Sequence, residues 1–287
     1  DTLSGIYLLR ELSRHSLDQA MGTGEILSSL IISSLIENSL HLDSRNFIKT
    51  DSNFGHANVD FALTDPLVKK FIGNPGRHVV VPGFIASNIK NETTTLGRGG
   101  SDYSAAIIAA AIDSEILEIW TDVDGFMTAD PKKVEKAYAI ESLTYSEAIE
   151  LSHFGAKVIY TPTLRPVYKK NIPIRVLNTF NPGSKGTIIS HKSSDDNISP
   201  IKGISSIDHI DLITLQGTGM VGVTGISMRL FGALAKQSIN IILITQASSE
   251  YSITFAVNPS DSGTATASIH EEFKNEIDIN RELKVKI

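Results

Sequence analysis

The stretch that most narrows what this chain can fold into is residues 77–111. Residues 77–85, Arg-His-Val-Val-Val-Pro-Gly-Phe-Ile, are apolar and β-branched and are stopped by Pro82-Gly83, which is the pattern of a buried strand. Residues 94–100 make a polar loop containing Gly97, Gly99 and Gly100. Ser101 then stands where it can cap a helix filled by Ala105, Ala106, Ile107, Ile108, Ala109, Ala110 and Ala111. So much alanine suits a helix packed closely on a sheet. The same alternation extends in both directions. Residues 3–12 are helical, and Gly22-Thr-Gly opens a second helix reaching about Asn38. Residues 116–121 read as a strand and 145–154 as a helix stopped by Gly155; in the strand at 172–177, Pro173 must sit at the beginning or an edge. Strands alternating with helices predict an α/β domain with a mostly parallel sheet.

The pattern changes at residues 191–200, which are polar and end in Pro200. A boundary there divides the 287 residues into domains 1–195 and 196–287. The second part reads as strand 209–215, helix 221–237, strands 239–245 and 252–257, helix 261–273 and strand 283–287. That order, βαββαβ, is ferredoxin-like. A net charge of −6 argues against a nucleic-acid partner. With no cysteine, a disulfide scaffold and a thiolate metal site are excluded. No apolar run approaches the roughly 20 residues that span a bilayer. The expectation is a soluble, cytoplasmic protein with no membrane partner. Because the chain opens at Asp1 without an initiator Met, already in a helical pattern, it is expected to be a fragment.

The densest chemical signal is Thr93-Thr-Thr-Leu-Gly-Arg-Gly-Gly-Ser-Asp102. Its glycines let backbone amides approach an anion, and the following helix N-terminus adds partial positive charge. Arg98 offers a planar fork for a carboxylate or phosphate. Asp102 is useful there only if it orients a cation, a nucleophile or a proton; a capped glycine turn with a solvated arginine is the plainer reading. Thr121-Asp-Val-Asp-Gly125 follows a strand, where open α/β sheets bind ligands, although an ordinary Asp-Gly turn has the same pattern. Glu25, in the first turn of its predicted helix, and Lys157, after a helix stop, each have a local electrostatic explanation. Gly217-Thr-Gly-Met-Val-Gly222 matches a dinucleotide fingerprint, but no acidic residue ends the next strand and only 65 residues remain. The two carboxylates Asp122 and Asp124 could hold magnesium or contact a nucleotide; no zinc-ligand spacing and no nucleophile elbow occur, and no metal ligands are assigned.

Taken in order, several segments together resemble the aspartokinase family, within the amino-acid kinase (carbamate-kinase-like) fold. They are Gly22-Thr-Gly-Glu-Ile-Leu-Ser28, Val81-Pro-Gly-Phe-Ile85, Thr94-Thr-Leu-Gly-Arg-Gly-Gly-Ser-Asp-Tyr-Ser-Ala105, Glu118-Ile-Trp-Thr-Asp-Val-Asp-Gly125, Thr128-Ala-Asp-Pro131 and Phe154-Gly-Ala-Lys157. The resemblance implies phosphorylation of the aspartate side-chain carboxylate by ATP with Mg2+. It implies that Glu25 faces the substrate ammonium, that Arg98 grips the α-carboxylate beside Gly99, Gly100 and Ser101, and that Asp102 organises the reacting centre. Thr121, Asp122, Met127, Lys132 and Lys157 would line the ATP site. Met127 and Lys132 depart from the tyrosine and arginine common at those positions. The family's Lys-Phe-Gly-Gly-Thr-Ser segment does not occur here. The expectation is that the full protein is a kinase and that this chain alone is inactive or nearly so.

The second domain resembles an ACT domain, which implies an amino-acid effector and a homo-oligomer, a dimer through ACT units. Residues 243–252 look like those of threonine-sensitive aspartokinase–homoserine dehydrogenases, in which a dehydrogenase domain follows. Gly222, Gly225, Asn240 and Gln246 are the candidate effector contacts, with threonine favoured over lysine because residues 240–242 carry no acid. Two alternatives stand beside this reading: another amino-acid kinase, such as one acting on glutamate, or a binding and dimerisation module without activity.

Overall fold

In a computed structural model, residues 2–10, 12–73, 76–153, 158–192, 201–246 and 250–287 are described. The chain divides into two compact units, Asp1–Ser206 and Ile207–Ile287. The first contains α1 (Thr2–Leu9), α2 (Arg14–Leu35), β1 (Ser39–His41), β2 (Lys49–Thr50), α3 (Phe61–Ile72), β3 (His78–Val80), β4 (Ile85–Asn88) and β5 (Thr93–Thr95). It continues with α4 (Gly100–Ala111), β6 (Leu117–Thr121), β7 (Ser142–Thr144), α5 (Tyr145–His153), α6 (Thr161–Lys170), β8 (Ile174–Asn178) and β9 (Thr187–Ser190). Its strands form three sheets in the orders β1-β3, β2-β4-β5 and β6-β8-β9-β7. The pairs β1–β3, β2–β4, β6–β8 and β7–β9 are parallel, while β4–β5 and β8–β9 are antiparallel. The sheets are therefore mostly parallel, as the alternating pattern predicts.

The alanine-rich helix α4 lies between two cores. Ile107 and Ala111 join Phe47, Ile48, Val68 and Ile72 on one side, while Ala106 and Ala109 join Leu117, Ile119, Leu164 and Val176 on the other. Small side chains let both layers approach the helix closely. Tyr145 is fully enclosed and donates its hydroxyl to the Ile172 carbonyl; burial pushes its pKa up to about 12.

Three sequence expectations change. The second helix begins at Arg14, capped by Ser13, whose hydroxyl accepts the Ser16 N–H at 3.1 Å. Gly22 and Gly24 lie inside it, although a mid-helix glycine costs about 1 kcal/mol relative to alanine. Gly22 has a packing reason: a Cβ there would sit 3.1 Å from Thr93 Cγ2 and 3.4 Å from Ile85 Cγ2. Gly24 faces open space, and nothing in the structure explains it. Glu25 is therefore in mid-helix, and the first-turn explanation for its charge is withdrawn. Residues 77–85 split into β3 and β4, in different sheets, because Pro82-Gly83 turns the chain and Phe84 takes φ 67°. The cap of α4 is Gly99, at φ 66°, with no side-chain hydrogen bond; Ser101 is already inside the helix.

The second unit contains β10 (Asp211–Gln216), α7 (Ile226–Lys236), β11 (Leu243–Gln246), β12 (Ser252–Val257), α8 (Pro259–Glu272) and β13 (Lys284–Lys286). Its sheet is antiparallel with order β11-β12-β10-β13, so its first and third strands are central, as a ferredoxin-like βαββαβ unit requires. Ile213, Leu215, Ile253 and Phe255 pack against Leu230, Leu234, Ile269 and Phe273. Arg229 ties the two helices together through Glu272 at 2.9 Å and Glu276 at 2.6 Å. No helix among the described residues is long and apolar enough to cross a membrane.

Candidate functional site

One face of α2 is built from Asp18, Gly22, Glu25 and Ser29, spaced so that each lies about one turn from the next. Asp18 is fully buried, and its carboxylate accepts the N–H groups of Gly55 at 2.9 Å and Thr95 at 3.0 Å and the Thr95 hydroxyl at 2.8 Å. Gly22 brings the helix into contact with β4 and β5. The result is that Glu25 stands over the loop that leaves Thr95. Sequence reasoning passed over Asp18; its signal was an acid two turns before Glu25 on the same face as a helical glycine.

Glu25, Gly99, Gly100, Ser101 and Asp102 line a single open cleft, with Met21, Phe84 and Gly97. A Cβ at Gly99 would overlap the Tyr160 side chain, and one at Gly100 would press on Phe84 and Leu96, so this loop can run here only with glycine. Phe84 holds a left-handed conformation unusual for a bulky residue. Its N–H donates to Ser104 Oγ at 2.9 Å, its carbonyl accepts the Leu96 N–H at 2.9 Å, and Ser104 donates onward to the Gly100 carbonyl at 2.9 Å. These bonds fix one wall of the cleft to the first turn of α4. The first amides of that helix lack intrahelical partners and carry partial positive charge. Asp102 has no hydrogen-bond or ion-pair partner among the described residues, and burial raises its pKa. A cation or a proton delivered to the cleft would relieve that. Arg98 is not in the lining: it is exposed, between Gly97 at φ 74° and Gly99 at φ 66°.

A second cavity, about 550 Å³, opens where the parallel neighbours β6 and β8 end. Thr121, Asp122, Met127 and Lys132 all line it. Lys157 lies outside the described residues. The lining also includes Asp124, Asn178 and Asp130. Asp124 accepts Nδ2 of Asn178 at 2.8 Å and Nδ2 of Asn181 at 3.1 Å, which fixes the loop after β6 to the end of β8. The rule that ligands bind beyond strand ends could have found Asn178, the last residue of β8. Asp130 accepts the Lys132 N–H at 2.9 Å and turns the lysine's segment back along the cavity. Among the described residues, no group of three His, Cys, Asp or Glu side chains could hold a metal ion.

In the second unit, Gly222 at φ 70° and Gly225 at φ 90° shape the loop before α7. β10 enters that loop from Gln216, which pairs with Ser252, and Gln246 pairs with the adjacent Ile253, so Gln246 lies at the same end of the sheet. Asn240 precedes β11, six residues earlier, which in extended chain is about 20 Å away. The fold thus gathers Gly222, Gly225 and Gln246 but leaves Asn240 at the opposite end. The Gly222 N–H is engaged by the Glu250 carboxylate at 3.2 Å.

Comparisons with known proteins agree with this architecture. The model of the amino acid kinase family matches residues 4–178, and that of an ACT domain matches residues 213–273. The chain is 36% identical over 295 residues to the chloroplastic bifunctional aspartokinase/homoserine dehydrogenase 2 of Arabidopsis thaliana, covering 99% of this chain and 32% of that protein. The chain thus spans about a third of the length of that curated relative. The structure of E. coli aspartokinase III in complex with aspartate and ADP, in the R-state, superposes with a TM-score of 0.75 at 28% identity, covering 99% of this chain and 66% of that one. The T-state structure of the same enzyme with lysine and aspartate gives 0.76 at 29% identity, covering 99% and 65%. The chain belongs to the amino acid kinase family, with an ACT domain following the kinase unit.

Proposed function

We propose that the protein is an aspartate kinase of aspartate-family amino-acid biosynthesis, regulated by an amino acid at its ACT unit. One observation carries the reading: Glu25, the glycine loop and Asp102 share one cleft, while Thr121, Asp122, Met127 and Lys132 share a cavity in the same unit. In this reading the cleft takes aspartate. Glu25 faces the ammonium, Arg98 folds in over the α-carboxylate, and Ser101 and the α4 amides hold the remaining oxygens. The cavity takes ATP, with Lys132 near the phosphates. A β-carboxylate oxygen bonds to the γ-phosphorus and ADP leaves, giving an acyl phosphate. Such a transfer depends on positioning and charge neutralisation. Magnesium bound by the nucleotide's own phosphates needs no dedicated protein cage.

The test is release of ADP from magnesium ATP, with hydroxylamine trapping of the acyl phosphate, using aspartate and glutamate in turn. Trapped product with aspartate alone is the expected result for the full-length protein. Trapping with glutamate would assign a different amino-acid kinase. Nucleotide binding without any product would favour the regulatory module.

For the effector we propose threonine, bound between Gln246 and the loop at Gly222–Gly225. The exposed edge strand β11 and its apolar Leu243 and Ile244 suit side-by-side pairing of two ACT units, so that binding stabilises a dimer. Lysine would bring an ammonium whose unpaired burial is costly, and the Glu250 carboxylate is engaged by the Gly222 N–H. Threonine is expected to raise the melting temperature and the sedimentation coefficient, and Gln246→Ala to remove both effects. A rise with lysine and none with threonine would overturn the assignment.

A further inference from the structure

We infer that the strap at residues 201–206 is a wall of the nucleotide cavity and that Ile204 on it packs against the purine base. The inference rests on the nucleotide reading given above. Ile204, Ser205 and Ser206 all contribute to the cavity lining, although they come after the last strand of the first unit and directly before the second. The strap is seated at several points. The Ile204 N–H donates to the Thr128 carbonyl at 2.8 Å. Lys202 Nζ reaches Glu147 Oε2 at 3.3 Å and the Ser142 carbonyl at 3.4 Å, and Lys133 Nζ donates to Ser206 Oγ at 2.8 Å. Gly203 fits against the body of the unit: a Cβ there would stand 3.3 Å from Leu151 Cδ2, 3.4 Å from Ile140 Cδ1 and 3.4 Å from the Thr128 carbonyl. A single added methyl would meet these atoms at tight to ordinary contact distance, so a branched side chain is needed to crowd the strap.

The chemistry of the lining divides in two. Thr121, Asp122 and Lys132 offer charge and hydrogen bonds, whereas Met127, Leu151, Val158 and Ile204 offer hydrocarbon. A nucleotide divides in the same way, into polar phosphates and a flat, largely apolar base. Met127 is an adaptable partner for such a ring. Ile204 is the odd member of the apolar set. Its backbone is hydrogen-bonded in place, yet its side chain is 68% exposed. Single exposed apolar residues are common and by themselves mean little. Here the exposed side chain belongs to a cavity rim with three other apolar residues, so a base entering the cavity would cover it and gain its burial. Ile204 is thus assigned as a specificity-determining contact for the base.

The experiment is calorimetric titration of the full-length protein with magnesium ATP and, separately, with magnesium tripolyphosphate, which carries the charge without the base. Ile204→Ser is expected to raise the Kd for ATP about five- to twentyfold, the loss of part of one buried isoleucine. It should leave the Kd for tripolyphosphate unchanged, and the melting temperature too, since the side chain is exposed in the free chain. Gly203→Val, which lifts the strap, should reproduce the selective loss. An unchanged ATP Kd in Ile204→Ser, or equal losses for ATP and tripolyphosphate, would overturn the assignment. Should the unaltered full-length protein bind neither probe, the nucleotide reading itself fails and the strap's role falls with it.

Discussion

Asp102→Asn is expected to lower kcat by about 10²–10³-fold, the usual loss when one preorganised charged group is removed from a reacting centre. The aspartate KM should change by less than about threefold if, as proposed, the group acts mainly in the transition state. The same substitution should make the ligand-free protein more stable. Burial raises the Asp102 pKa, so its charged form is disfavoured in the fold. The sign follows from linkage: below the carboxylate range the residue is protonated in both states and costs nothing. As pH rises through the unfolded-state pKa, the unfolded chain ionises first and gains relative to the native one. The asparagine has no such cost, so its advantage should be absent at pH 3 and present at pH 7. Thermal melts at those two values, with kinetics at pH 7, check both halves. A variant that lost turnover and also melted lower at pH 7 would mean that Asp102 supports the helix end and not the chemistry.

The candidate site was only partly legible in the sequence. Motifs on one continuous element were readable. Gly97 to Asp102 and Thr121 to Gly125 each follow a strand, and each lies at the cavity or cleft where such loops bind ligands. The βαββαβ order of the second unit was equally plain, because its strands and helices differ in hydrophobic period. Features set by contacts between distant segments were not readable. Asp18 joins residues 37 and 77 positions away, and nothing in its own neighbourhood marks it as buried. Asp124 acquires its partners from the end of β8. Gly22 and Gly24 look like a helix start because glycine weakens a helix locally; only the approach to Thr93 and Ile85 shows why Gly22 is inside one. Asn240 is separated from Gln246 for the converse reason. It is near Gln246 in sequence, but an extended strand carries the two to opposite ends of the sheet.

Arg98→Ala is expected to raise the aspartate KM about 10–100-fold, equivalent to one charge-assisted hydrogen-bonded pair of roughly 1.5–3 kcal/mol. The KM for ATP should stay within about twofold, since Arg98 adjoins the cleft and not the nucleotide cavity. The geometry of the cleft makes this a demanding prediction. Arg98 is exposed and outside the lining, so the interaction must form when substrate arrives. The loop has the means: Gly97 and Gly99, both in the left-handed region, flank the arginine, and glycine crosses between backbone regions with little steric cost. Arg98→Lys separates a planar fork from a point charge. Lysine keeps the long-range attraction but cannot form the paired bonds of a guanidinium with a carboxylate. Its aspartate KM should therefore fall between those of the wild type and alanine variants. A substrate analogue lacking the α-carboxylate, β-alanine, supplies the control. The unaltered enzyme should bind it poorly, and Arg98→Ala should bind it no worse. Additional loss of β-alanine affinity in Arg98→Ala would place the arginine at the reacting carboxylate or in the loop's framework, and the grip on the α-carboxylate would have to be assigned to the amides at the start of α4.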